Sequence, residues 1–163
     1  MTAQSSQLVQ TLYEDDYYLW VDTTVRKLRC AEFDTVDWEN LIEEIESMGR
    51  SEKRALASLL TRLFEHLLKL TYWESERENN ENKWKGEITA FRLQIKKLLK
   101  DSPSLKPYLT EIFDECYLDA RKVISQLTGK KLANFPPQAI TTIKEVLDEN
   151  WFPDGKSEST KEG

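Results

Sequence analysis

DWENLIEEIESMGRSEKRALASLLTRLFEHLLKL, residues Asp37 to Leu70, reads as one long amphipathic helix. Advancing about 100° per residue, Trp38, Leu41, Ile42 and Ile45 project onto the same face as Leu56, Leu59, Leu60, Leu63, Leu67 and Leu70. Gly49 lies between the two halves. A glycine either ends a helix or weakens it by about 1 kcal/mol. A true break would not need to preserve the phase of the stripe, so the spacing predicts a helix that is continuous or gently kinked at Gly49. Three features interrupt the stripe: the acidic cluster Glu43, Glu44 and Glu46, the lone Glu52, and the chain's one histidine, His66.

Around this helix the rest of the chain reads as helical too. The 163 residues hold 39% hydrophobic and 32% charged side chains but only five Gly and five Pro, too few turn formers for many short strands. The expected fold is an all-α, single-domain bundle of about five helices, with the long helix at its centre. Its domain spans 13–153, between a polar N-terminus, 1–12, and a C-terminal tail, 154–163, both expected to be disordered. Helix one covers Glu14 to Cys30, where Tyr17, Tyr18, Val21, Val25 and Leu28 recur at helical spacing. Asp34, Thr35 and Asp37 supply capping side chains before the long helix. The polar stretch from Trp73 to Asn82 reads as a loop. A third helix follows on Trp84, Ile88, Phe91, Ile95 and Leu99 and ends at Ser102-Pro103. Pro107 sits in the first turn of a fourth helix that Gly129 caps. A short fifth helix, Gln138 to Asp148, leads to Trp151, Phe152 and Pro153, which pack back on the bundle.

Composition narrows the function classes. The formal net charge of −6, with no run of Lys and Arg longer than a pair, disfavours nucleic acid as a partner. Cys30 and Cys116 stand far apart, outside any CxxC or Cys/His spacing, and reduced thiols are the simpler reading. The opening MTAQSSQ lacks the basic and apolar segments of a signal peptide, and no apolar stretch approaches the roughly 20 residues that span a bilayer. The expectation is a soluble cytoplasmic protein without cofactors, open to a protein partner or to self-association.

Several strings together resemble a known family. Trp38 to Glu52, then His66-Leu67-Leu68-Lys69, Trp84 with Ile88 and Arg92, Ser102-Pro103-Ser104-Leu105, and Phe135-Pro136 are similar to the bacterial, chiefly cyanobacterial, domain of unknown function family twenty-nine. The resemblance covers about Tyr13 to Pro153 and implies a helical fold without an established activity, so it confers no catalytic residues. The chain departs from the family pattern at Trp73-Glu74, where a Gln-Pro pair is usual, and at Gln126, where Glu-Thr is usual.

Candidate chemistry rests on Glu44, Glu52, Arg62 and His66. A lone histidine cannot furnish a catalytic zinc site, and His66, at the edge of the stripe, reads as a half-buried histidine bonded to a neighbouring helix. Its alternative is a general acid or base. Arg62 with His66 loosely resembles the Arg/His pair of HEPN-type nucleases, with three residues between them where that motif has four to six. Helical pyrophosphohydrolases of the MazG type hold magnesium through Glu-Glu-x-x-Glu answered by Glu-x-x-Asp. Here Glu43-Glu44 is followed by Ser47 at the third place, while Glu111 and Asp114 match the second half. Glu52 projects into mid-stripe, where a carboxylate must either pair with Arg92 or Arg26 or open onto a cleft with Glu44 and Ser51. Glu52 and His66 lie about 21 Å apart along a continuous helix and cannot share a site within one chain. Trp73, in the polar loop, is a candidate partner contact. The sequence favours a non-catalytic interaction or accessory module, with a hydrolase of nucleotides or RNA as the rival.

Overall fold

A computed structural model describes residues 12–154, and almost all of the two expected disordered ends lies outside them. The described residues form helices and short 3-10 turns, with no strand among them. The α-helices are α1 (Tyr17–Arg29), α2 (Trp38–Tyr72), α3 (Glu74–Asp101), α4 (Lys106–Thr128) and α5 (Ile143–Leu147), with a helical turn at 12–15 before α1. The fold is all-α with one long central helix. α2 runs unbroken through Gly49, as the phase of its stripe requires. The residues group into two compact units divided after Ser51, within α2.

The first unit is a hairpin of α1 and the N-terminal half of α2. The Asp16 carboxylate caps α1 by accepting the amide of Leu19, and Arg26, Lys27 and Arg29 occupy its last turn, where they complement the helix dipole. A 3-10 turn, Phe33–Thr35, reverses the chain. The Lys27 ammonium holds that turn by donating to Thr35 O at 2.7 Å, and the Trp38 indole donates to Phe33 O at 3.1 Å. Asp37 then opens α2 by accepting the amide of Asn40. Trp20, Thr24 and Val36 are buried, and Tyr13, Tyr17 and Trp20 pack ring to ring.

The second unit has the larger core. From Leu56 onward α2 buries Leu56, Leu60, Leu63, Phe64, Leu67 and Leu70 among Trp84, Ile88 and Ile95 of α3 and Leu109, Ile112, Phe113 and Ile124 of α4. Phe64 meets Phe113 and Tyr117 edge to face at centroid separations of 5.0 and 5.4 Å. Such pairs add about 1 kcal/mol beyond the area they bury. Pro107 lies in the first turn of α4, and Gly129 caps its end at φ +69°, a conformation that disfavours any residue with a Cβ. Thr142 and Glu145 form a capping box at α5, and Arg92 Nε donates to Val146 O at 2.6 Å.

Three details differ from the sequence reading. The stretch 73–82 is not a loop: Trp73 caps α3, which begins at Glu74. Glu74 and Glu76 suit a first helical turn, Arg77 reaches back to Thr71 O at 2.8 Å, and the Trp73 ring stacks on Trp84 at 5.9 Å. The polar residues form a solvated helix face, so α2 and α3 meet in a tight turn. The fifth helix is shorter than expected, because the Thr142 cap postpones its start to Ile143. Most consequentially, the apolar stripe of α2 is not core along its whole length. Trp38 is 47%, Ile42 53%, Ile45 58% and Met48 63% exposed.

A Cβ added at Gly49 meets nothing within 4 Å, so Gly49→Ala should raise stability by about 1 kcal/mol in denaturant unfolding. Ile88→Ala, at a fully buried position, should cost about 2–5 kcal/mol, whereas Ile45→Ala should cost under about 1 kcal/mol. Equal losses at Ile88 and Ile45 would contradict the burial described.

Candidate functional site

The N-terminal half of α2 presents the most unusual surface in the first unit. Trp38, Ile42 and Ile45 share one face, Met48 borders it, and all four side chains are about half exposed or more. Trp38 is held in place by its bond to Phe33 O. Beside the apolar ridge stand the exposed carboxylates of Glu39, Glu43 and Glu46. Arg50 partly neutralises them, with Nη2 at 2.6 Å from Glu43 and Nη1 at 4.0 Å from Glu46.

Glu44 points the other way, onto the aromatic cluster of the hairpin. The Tyr13 hydroxyl donates to one of its oxygens at 2.5 Å and the Tyr17 hydroxyl to the other at 2.8 Å. These bonds, that from Tyr13 first, hold the Glu44 carboxyl below its usual range, and the same bond pushes the Tyr13 phenol up to about 12. Both oxygens thus serve to fasten α2 to the residues before it.

The remaining candidates disperse. Glu52 is exposed, so its carboxylate carries no burial cost, and both proposed partners are engaged elsewhere: Arg92 with Val146 O, Arg26 with Glu32 at 3.7 Å. Glu111 and Asp114 are exposed on α4. Among the described residues no group of three or more His, Cys, Asp and Glu side chains is arranged to hold a metal ion. Arg62 extends into solvent and meets His66 only through its carbonyl oxygen, 2.8 Å from Nδ1. His66 itself is buried rather than half-buried. Its Nε2 lies 2.8 Å from Glu87 of α3 and its ring meets Phe91 edge to face at 5.1 Å. Both ring nitrogens therefore face acceptors, an arrangement that ties α2 to α3. Trp73 is partly buried against the core and stacked on Trp84.

Two features escaped the sequence reading. Glu87 is one acidic residue among 29 Asp and Glu, and nothing in its neighbourhood along the chain marks it as the partner of His66. The bare ridge did leave a signal: residues 49–55 hold no large apolar side chain, a gap of nearly two turns that separates the exposed half of the stripe from the buried half.

Among the described residues, an all-helical fold with a bare, acid-flanked helix face is the class of protein that fold and surface define. The family model described as domain of unknown function DUF29 matches residues 12–152, and the chain belongs to that family. No curated protein matches it, and neither does any solved structure. No helix among the described residues is long and apolar enough to cross a membrane.

Because the Glu44 carboxyl is held low, its contribution to the hairpin is present above the ordinary carboxylate range and is lost as pH falls through the lowered value. Tyr13, held high, contributes fully below 10.0 and loses that contribution as pH rises towards about 12. Ultraviolet titration of the wild type against Tyr13→Phe should show a phenol ionising near 12, and Glu44→Gln should return it towards 10.0.

Proposed function

We propose that this protein is a non-catalytic interaction module, acting in the cytoplasm, that docks an amphipathic helix with basic flanks onto the ridge of Trp38, Ile42, Ile45 and Met48. The observation that carries the reading is the exposure of four large apolar side chains in consecutive turns of one helix. Covering each half-exposed side chain is worth about 1 kcal/mol, so the ridge supplies about 4 kcal/mol. That only matches the low end of the 4–15 kcal/mol that association costs. Apolar contact alone is thus insufficient, and the partner must also pair with the flanking Glu39, Glu43 and Glu46. Lys and Arg on either side of an apolar seam meet that requirement. A second copy of the chain meets it poorly, because like carboxylates would face one another. The unpaired thiols of Cys30 and Cys116 agree with a reducing compartment.

Helical peptides with a leucine seam, flanked either by Lys and Arg or by Glu, provide the test by isothermal titration. The basic-flanked peptide should bind, weaken with added salt, and lose at least about tenfold in affinity on Ile45→Glu. Equal binding of the two peptides, or indifference to Ile45→Glu, would remove the proposal. A sedimentation shift to dimer that Ile45→Glu abolishes would assign the ridge to self-association instead.

A further inference from the structure

The second unit contains a cavity of about 260 Å³ with mainly apolar walls, formed by Phe64, Leu67 and Leu68 of α2, Tyr117 of α4, and Trp151 and Phe152 of the C-terminal segment. Its size exceeds the roughly 150 Å³ of a cavity that takes benzene, so a bicyclic ring or a medium-length hydrocarbon chain fits. The Tyr117 hydroxyl is committed to Pro136 O at 2.7 Å, and Thr71 Oγ1 to Leu67 O at 2.9 Å. Asp154 stands exposed at the rim, where solvent screens it.

Phe152 has a second neighbour. The Arg92 guanidinium lies 5.2 Å from its ring centroid, and Arg92 is 0% exposed. Arg92 Nε reaches Val146 O, but Nη1 and Nη2 are buried with no hydrogen-bond acceptor among the described residues. The other cations of this region are satisfied: Lys85 by Glu81 at 2.6 Å and Lys96 by Glu149 at 2.5 Å. Arg92 alone of the three has no carboxylate within salt-bridge distance among the described residues; burial, the larger influence, pulls its basicity below the ordinary value, and the more distant Asp148 and Glu149 offset this only in part. A buried guanidinium fork with two idle donors is costly, and a carboxylate is the group whose geometry satisfies both at once.

We propose that this cavity binds a small apolar carboxylic acid, its hydrocarbon part lying against Phe64, Leu67, Leu68 and Trp151, and its carboxylate paired with Arg92 Nη1 and Nη2 as the Phe152 ring turns aside. Phe152 lines the cavity on one side and meets the guanidinium on the other, so the pairing requires that ring to rotate. The ligand satisfies the donors that the fold leaves idle, and this favours the acid over a neutral compound of the same length.

Octanoate and 1-octanol, titrated calorimetrically into the full chain, test the proposal. Octanoate should bind at least about tenfold more tightly than the alcohol, as expected for two charge-assisted hydrogen bonds. Arg92→Met, which keeps the volume and removes the charge, should abolish that preference while leaving octanol binding unchanged. Phe152→Ala, which opens the wall, should strengthen octanoate binding. If Arg92→Met does not fold, the wild-type preference and the Phe152→Ala variant still decide the matter. Absence of binding by either compound, equal affinity of acid and alcohol, or an unchanged preference in Arg92→Met would each overturn it.

Discussion

The phase of the apolar stripe along α2 is the constraint on which the rest depends. One helix of 35 residues contributes to both compact units, and its helical hydrogen bonding runs on through Gly49. Beyond Leu56 the register of the stripe delivers a leucine or phenylalanine to the core of the second unit at nearly every turn. Before Gly49 the same register directs Trp38, Ile42 and Ile45 to solvent, because the hairpin partner α1 packs on a different side of the helix, where Glu44 takes its tyrosine bonds. A single periodic pattern thus creates both a core and an exposed surface.

The polar residues divide the labour in a comparable way. His66 and Glu87 join α2 to α3, Tyr117 fastens the segment after α4 through Pro136, and Lys96 with Glu149 secures the chain after α5. Each spends hydrogen-bonding capacity on tertiary structure. Among the described residues, buried donors without a protein acceptor include Trp20 Nε1, Arg77 Nε and Arg121 Nε, and Arg92 has two more. It sits at the centre of the second unit with one donor used and two idle, the pattern expected of a group whose full complement of bonds arrives with a ligand.

Much of the fold was legible in the sequence for identifiable reasons. The helical class followed from the scarcity of glycine and proline, the continuity of α2 from the conserved phase of its apolar positions, and the end of α4 from Gly129. The start of α3 is hidden in the sequence because Glu74 to Asn82 holds no apolar periodicity: a helix that shows a polar face to solvent and is anchored through Trp73, Arg77 and Trp84 leaves no stripe to detect. The candidate site was legible only in outline. Glu44 and His66 were singled out as interruptions of the stripe, but their partners Tyr13, Tyr17 and Glu87 lie 21 or more residues away, and charge and aromaticity alone do not indicate who meets whom.

The sequence by itself determined the helices, their approximate ends and which face of each is apolar, because these follow from local backbone preferences and a repeat of 3.6 residues. Only the tertiary structure decided which part of an apolar face becomes core and which stays bare, since burial depends on the elements that pack against it and not on the face itself. It alone brought Glu87 to His66, sent Glu52 to solvent, and enclosed Arg92 beneath Phe152 with two donors unspent. Those outcomes depend on contacts between residues far apart in the chain, and periodicity carries no record of them.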